Sequence, residues 1–111
     1  MQLSVEDHNN GVVVHVGGDV DTLTAPELQA CLTDALTDGP QTFVIDLSNV
    51  RYISSMGLRV FLSHLKRVKA NNGAMVIAGA QKLVSDVFQM SGFSNYFEIT
   101  ADLASAMQRF D

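Results

Sequence analysis

Three groups of residues in this 111-residue chain have side chains suited to chemistry, and each also has a plainer role. The first is Ser54-Ser55-Met56-Gly57, which opens a run with helical spacing. Free backbone N–H groups and the positive end of a helix dipole favour an anion there, so a phosphoserine would be stabilised. Serine is also a preferred N-capping residue, and on the dipeptide alone capping is the more frequent role. The second group is the histidines. A nucleophilic enzyme needs an activated hydroxyl and a base, but the G-x-S-x-G turn that exposes such a serine is absent. His15 falls inside a strand pattern, and His64 lies nine residues along the helix from Ser55, ~13 Å at the helical rise. With His8, they read as structural or surface residues. The third group is Asp19 and Asp21, which fit a cation site, a helix cap or a charged docking edge. Two carboxylates are too few to assign a metal. With no H-x-x-x-H pair and no Walker-type loop, the residues indicate neither a catalytic centre nor a metal or cofactor.

Charge and composition narrow the classes further. The net charge of -5, from 12 acidic and 7 basic residues, argues against direct nucleic-acid binding. Glu6, Asp7, Asp19, Asp21, Glu27, Asp34, Asp38 and Asp46 precede position 50, whereas every Lys and Arg follows it. Such a split suits docking onto a polarised protein surface, and equally two differently charged solvated faces. The basic stripe of Arg59, Lys66, Arg67 and Lys69 lacks the interleaved aromatics of a single-strand binder. Cys31 is the only cysteine, which excludes an internal disulfide or a thiolate zinc site and fits a reducing cytoplasmic location. The most apolar stretches, around 43 to 47 and 74 to 80, are far shorter than the ~20 residues of a spanning helix, and no leader pattern opens the chain. The expectation is a soluble chain with no membrane insertion. Its 47% hydrophobic and 17% charged content suits one globular domain over residues 1–111.

The elements that must position these residues follow from periodicity. LSVED at 3 to 7, a turn at Asn10-Gly11 and VVVHVGG at 12 to 18 predict a β-hairpin. A helix follows, with Thr24 as its cap, Pro26 in its first turn, a stripe of Leu28, Leu32, Ala35 and Leu36, and an end near Asp38-Gly39-Pro40. FVIDL at 43 to 47 predicts a central strand covered on both faces, ending at a turn-like Ser48-Asn49. A second helix runs from Ser54-Ser55 to about Ala70, burying Leu58, Phe61, Leu62, Leu65 and Val68 and exposing Arg59, Ser63, Lys66 and Arg67. Asn72-Gly73 ends it. AMVIAG at 74 to 79 predicts another buried strand, and Leu83, Val84, Val87, Phe88 and Met90 mark a third helix closed by Ser91-Gly92. A last strand is expected at Phe97 to Ile99 and a terminal helix from Ala101 to Phe110. The class is therefore α/β, with functional groups expected beyond the carboxyl ends of the strands, in the loops at 18 to 24 and 48 to 57. Asp21 and Ser55 should share that rim.

GGDVDTLTAPEL, VIDLSNVRYISSMGLRVFL and MVIAGAQKLVSDVFQMSGF together resemble the successive signatures of the STAS domain, specifically small free-standing anti-sigma factor antagonists. The central segment carries most of the likeness, through Asp46-Leu47-Ser48, Tyr52, Ser54-Ser55 and Gly57-Leu58; Gly18, Asp21, Ala25 and Leu28 match the first segment. The resemblance implies a mixed, largely parallel sheet of about five strands with about four helices. It also implies a non-enzymatic partner-switching role: binding an anti-sigma factor that is a serine kinase, releasing a sigma factor, and being reset by a phosphoserine phosphatase. In the family the turn reads Asp-Ser-Ser-Gly or Asp-Ser-Thr-Gly and the first serine is phosphorylated, which maps the acceptor onto Ser55. Ser54 stands where the family has aspartate, Met56 where it has a second hydroxyl residue and Arg59 where glycine is frequent, and Ser54 becomes a competing acceptor. Asp21, Ser54, Ser55, Met56, Gly57 and Arg59 form the implied partner-binding set. The alternative is a STAS scaffold or sensor subunit, never phosphorylated, that binds another protein, a small ligand or a lipid.

Overall fold

A computed structural model describes residues 1–37 and 42–110. Its elements in chain order are β1 (Gln2–His8), β2 (Gly11–Val20), α1 (Ala25–Thr37), β3 (Thr42–Ile53), α2 (Ser55–Ala70), β4 (Ala74–Ala78), α3 (Lys82–Met90), a 3-10 turn (Phe93–Asn95), β5 (Glu98–Thr100), α4 (Leu103–Met107) and a final 3-10 turn (Gln108–Phe110). The strands form one sheet in the order β1-β2-β3-β4-β5, with β1 antiparallel to β2 and every other pairing parallel. This is the expected α/β class.

FVIDL lies in the middle strand because its side chains have two apolar faces to fill. Phe43, Ile45 and Leu47 point into the main core with Val12, Val14, Val16, Met75 and Ile77, beneath residues of α1, α2 and α3. Val44 faces the other way with Val13, Val76 and Ala78, beneath Ala106 and Phe110 of the C-terminal segment. Each parallel crossover steps one strand in the same direction, so right-handed connections put the first three helices on one face.

Several boundaries depart from the sequence reading, each for a physical reason. Ser48-Asn49 does not end β3, which continues to Ile53. Its pairing with β2 runs His15↔Asp46 then Gly17↔Asn49, and Gly18↔Val50 then Asp19↔Tyr52, so β3 carries one extra residue at each of two bulges. The hairpin turn is Asn9-Asn10, one residue early, and Gly11 begins β2. A Cβ at Gly11 would meet the Thr42 carbonyl oxygen at 1.8 Å, so close approach to β3 requires glycine there. Thr24 does not cap α1 with its side chain; its hydroxyl accepts from the Asp21 N–H (2.9 Å) and donates to the Asp19 carbonyl (2.8 Å). The expected end of α1 at Asp38-Gly39-Pro40 lies outside the described residues.

The nine-residue α3 buries Val84 and Phe88 one turn apart, leaving Leu83 (73%) and Met90 (87%) exposed on its other sides. Phe97 precedes β5 and packs edge-on against Phe88, with ring centroids 5.5 Å apart. The C-terminal helix starts at Leu103, because Asp102 caps it by accepting the Ser105 N–H (2.8 Å), and it tightens to a 3-10 turn at Gln108. Helix α2 ends as expected: Asn72 adopts φ 63° and the Gly73 N–H returns to the Val68 carbonyl (2.9 Å).

Candidate functional site

The carboxyl ends of β2, β3 and β4 lie along one rim because the three strands are parallel. At its centre, β3 ends at Ile53 and α2 begins two residues later. Ser54 bridges them in an extended conformation (φ -90°, ψ 170°). Its N–H donates to the Val20 carbonyl (2.8 Å), its Oγ accepts the Gly57 N–H (3.2 Å), and its carbonyl accepts the Leu58 N–H (3.0 Å). Ser54 is thus the N-cap of α2, with its side chain committed to the backbone.

Ser55 is the first helical residue and is exposed, and its hydroxyl makes no hydrogen bond among the described residues. The two serines therefore differ in kind: Ser54 oxygen satisfies a helix N–H, whereas Ser55 oxygen is presented to solvent above the first turn. Gly57 is buried under Ser54, where a Cβ would come within 2.5 Å of Val20 Cγ1 and 3.0 Å of Ile53 Cγ1. Met56 is exposed beside Ser55, and Arg59 is exposed one turn further along.

Asp21 follows Val20 directly, so the Val20–Ser54 hydrogen bond brings it to the start of α2. Its own bonds are local: Oδ1 accepts the N–H groups of Leu23 (3.0 Å) and Thr24 (3.1 Å), turning the chain into α1. Asp19 pairs at 3.6 Å with Arg51 on the exposed surface. The two acids thus serve different partners, and among the described residues no three His, Cys, Asp or Glu side chains are grouped to hold a metal ion.

Two features of the rim go beyond what the sequence pattern predicts. Leu23 (89% exposed) follows β2 and Leu83 follows β4, so with Met56 after β3 each of three parallel strands leads to an exposed apolar side chain. Tyr52, near the end of β3, is exposed as well. Their periodic apolar character reads as core in a sequence; a signal lay in Leu23, which stands between turn residues where no helix stripe claims it.

None of the three histidines reaches the rim serines. His15 and His8 lie on the second face of the sheet, in a chain of polar contacts. Asp46, only 6% exposed, accepts the Ser48 hydroxyl (2.7 Å) and N–H (3.0 Å) on Oδ1 and His15 Nδ1 (2.7 Å) on Oδ2. Burial pulls the Asp46 pKa upward, but the Ser48 and His15 hydrogen bonds outweigh it and hold the carboxyl below its usual range. His15 is raised chiefly by the bond to Asp46, against desolvation, with Glu6 adding to the rise. Glu6 contacts His15 Nε2 at 3.4 Å and His8 Nε2 at 2.7 Å, and His8 stacks on Phe110 at 4.5 Å. A lone acid in the apolar run FVIDL, beside a strand carrying a histidine, was the available sign of this buried partnership. His64 is 3% exposed, stands edge-on to Phe43 at 4.5 Å, and has no partner for either ring nitrogen among the described residues; burial, then Arg67, lowers its pKa to about 4.

A sheet of this topology, with a capped helix start and a free serine at the end of its central strand, is the arrangement of a STAS domain. The STAS domain family model matches residues 2–106, and the chain belongs to that family. It is similar to the anti-sigma-B factor antagonist of Staphylococcus aureus, at 33% identity over 86 residues, 78% of this chain and 80% of that protein. The anti-sigma-B factor antagonist of Staphylococcus epidermidis is 30% identical over 101 residues, 89% of this chain and 94% of that protein. Among solved structures, an anti-sigma factor antagonist from Mycobacterium paratuberculosis superposes with a TM-score of 0.86 at 27% identity, covering 98% of this chain and 92% of that one. Among the described residues no helix is long and apolar enough to cross a membrane.

Proposed function

We propose that this chain is an anti-sigma factor antagonist working by partner switching in the cytoplasm, with residues 1–111 acting as one domain and Ser55 as the phosphoacceptor. One observation carries the choice of residue: Ser55 is exposed with an unbonded hydroxyl, while its neighbour Ser54 is the N-cap. The names of the relatives support the partner class, an anti-sigma factor; that this partner is also the serine kinase acting on Ser55 is part of the proposal. A phosphoserine phosphatase completes the cycle. The role is binding, and no histidine lies where it could activate Ser55.

Unphosphorylated, the rim offers a surface fit for docking. Leu23, Met56 and Leu83, exposed after β2, β3 and β4, supply apolar anchors along the rim, and Asp21 and Arg59 supply polar contacts. A phosphate on Ser55 adds about -1.5 to -2 charges at one point of that surface, penalising a packed partner by repulsion and desolvation. The fold tolerates the same charge, because it sits at the positive end of α2. A complete reversal of occupancy from 99:1 to 1:99 needs about 5.5 kcal/mol of differential binding.

The test is phosphopeptide mass spectrometry after incubation with the cognate kinase, paired with calorimetric titration of unmodified and phosphorylated protein against that kinase. The expected result is a single phosphate on Ser55 and a large loss of affinity. A phosphate on Ser54 moves the acceptor, and tight binding to an anti-sigma factor without any phosphorylation supports the scaffold role instead.

A further inference from the structure

Arg59 is four residues beyond Ser55 on α2, one turn along the same helix face and ~6 Å up its axis. Both side chains are exposed. Arg59 makes no hydrogen bond or ion pair among the described residues, whereas Arg51 is paired with Asp19, Lys82 with Asp86 and Arg109 with Glu98. An uncommitted guanidinium therefore lies within a side chain's reach of the Ser55 hydroxyl. The order is the favourable one for a helix, with the future anion on the N-terminal side of the cation.

Resting on the assignment of Ser55 as the acceptor, we propose that Arg59 is a clamp in cis for the Ser55 phosphate. The planar guanidinium matches two phosphate oxygens at once, a geometry that an ammonium does not offer. This makes the switch act twice with one modification. Before phosphorylation Arg59 is free to meet an acidic group of the docked partner; afterwards it is turned back onto its own helix. The partner then meets a new negative charge and also loses a cation it had been using. The clamp also covers part of the phosphate, so the phosphatase must displace Arg59 to reach the ester.

The test uses the full-length chain with phosphoserine installed at position 55 by genetic encoding, so that it holds whether or not a natural kinase modifies that residue. The 31P resonance is titrated through the second phosphate ionisation in the parent, in Arg59→Gln and in Lys66→Gln. Lys66 is an exposed cation of the same helix, ~16 Å along the axis from Ser55 and beyond the ~8 Å screening length at physiological salt. The expected result is a midpoint ~0.5 pH unit higher in Arg59→Gln than in the parent, no change in Lys66→Gln, and loss of the difference in 1 M salt. Arg59→Lys should restore part of the shift. Equal midpoints in the parent and Arg59→Gln would overturn the clamp, as would an equal displacement by Lys66→Gln. Whether the kinase modifies Ser55 is read separately by mass, so the two assignments fail independently.

Discussion

The carbonyl of Val20, the last residue of β2, accepts the backbone N–H of Ser54, the N-cap of α2, at 2.8 Å. This bond joins the loop leading to α1 with the start of α2, so Asp21 and Ser55 are positioned from one point although 34 residues apart. Gly57 maintains the same junction from below. Gly57→Ala puts a methyl 2.5 Å from Val20 Cγ1, and Val20 is fully buried with a stiff side chain. The expected cost is about 1 to 3 kcal/mol in urea unfolding, with amide shift changes concentrated at residues 20 to 24 and 53 to 58.

Stability and binding should separate between the two serines. Ser54→Ala leaves the Gly57 N–H without its acceptor and should cost about 1 kcal/mol. Ser55→Asp should leave the melting temperature unchanged or slightly raised, since an acid in the first helical turn contributes about 0.3 to 1 kcal/mol, yet should reduce affinity for the anti-sigma factor at least tenfold. Thermal melts and calorimetric titration on both variants check this; equal affinity losses with equal melting shifts would contradict it.

His64 makes the fold sensitive to acid. Its folded pKa is about 4 and its ordinary value 6.5, so between these the unfolded chain binds more protons and stability falls as pH is lowered. The loss from pH 7 to pH 4 attributable to this residue should be on the order of 3 kcal/mol. His64→Phe should flatten that part of the curve in denaturant titrations at stepped pH.

The Asp46–His15 pair should tilt the curve the other way near neutrality. The folded pKa of His15 is raised, so its contribution is complete below 6.5 and disappears as pH rises through the folded value. Asp46 is lowered, so its own contribution is present above 3.8 and is lost only as pH falls through its folded pKa. Asp46→Asn should move the His15 imidazole titration, followed by NMR, to lower pH. It should also cost about 1 to 3 kcal/mol, because Ser48 and His15 lose a charged acceptor in a buried place.

Leu23 should matter for association alone. Being 89% exposed, it has little packing to lose, and Leu23→Ala should change stability by less than about 0.5 kcal/mol. The same variant should weaken binding to the anti-sigma factor by several-fold, measured by calorimetry.

The legible parts of the sequence were those where local pattern and tertiary environment agree. FVIDL carries consecutive apolar residues, the pattern of a strand covered on both faces, and it lies in the central strand. The start of α2 was readable from Ser54-Ser55 and the Leu58 to Val68 stripe. Ser48-Asn49 misled because turn-forming residues were judged alone; pairing with β2 holds them in the strand as a bulge. Leu83 and Met90 misled because helical spacing counts apolar residues but does not say how much of a short helix the sheet covers. Thr24 stands at a capping position, but its hydroxyl bonds Asp19 and Asp21 instead. The partner of Asp46 depends on cross-strand register, which nothing local in the sequence encodes.

Strand order in the sheet is the same as strand order in the chain. During synthesis, each strand that emerges finds its neighbour already present at the growing edge, and no later segment has to be inserted between two earlier ones. Assembly can therefore proceed from the N-terminal hairpin outward, closing one crossover at a time. Helix α4 and its 3-10 turn, which emerge after all five strands, cover Val13, Val44, Val76 and Ala78. Until then the nascent sheet presents that apolar face uncovered, so the C-terminal residues act as the closing step that takes the young chain out of reach of aggregation.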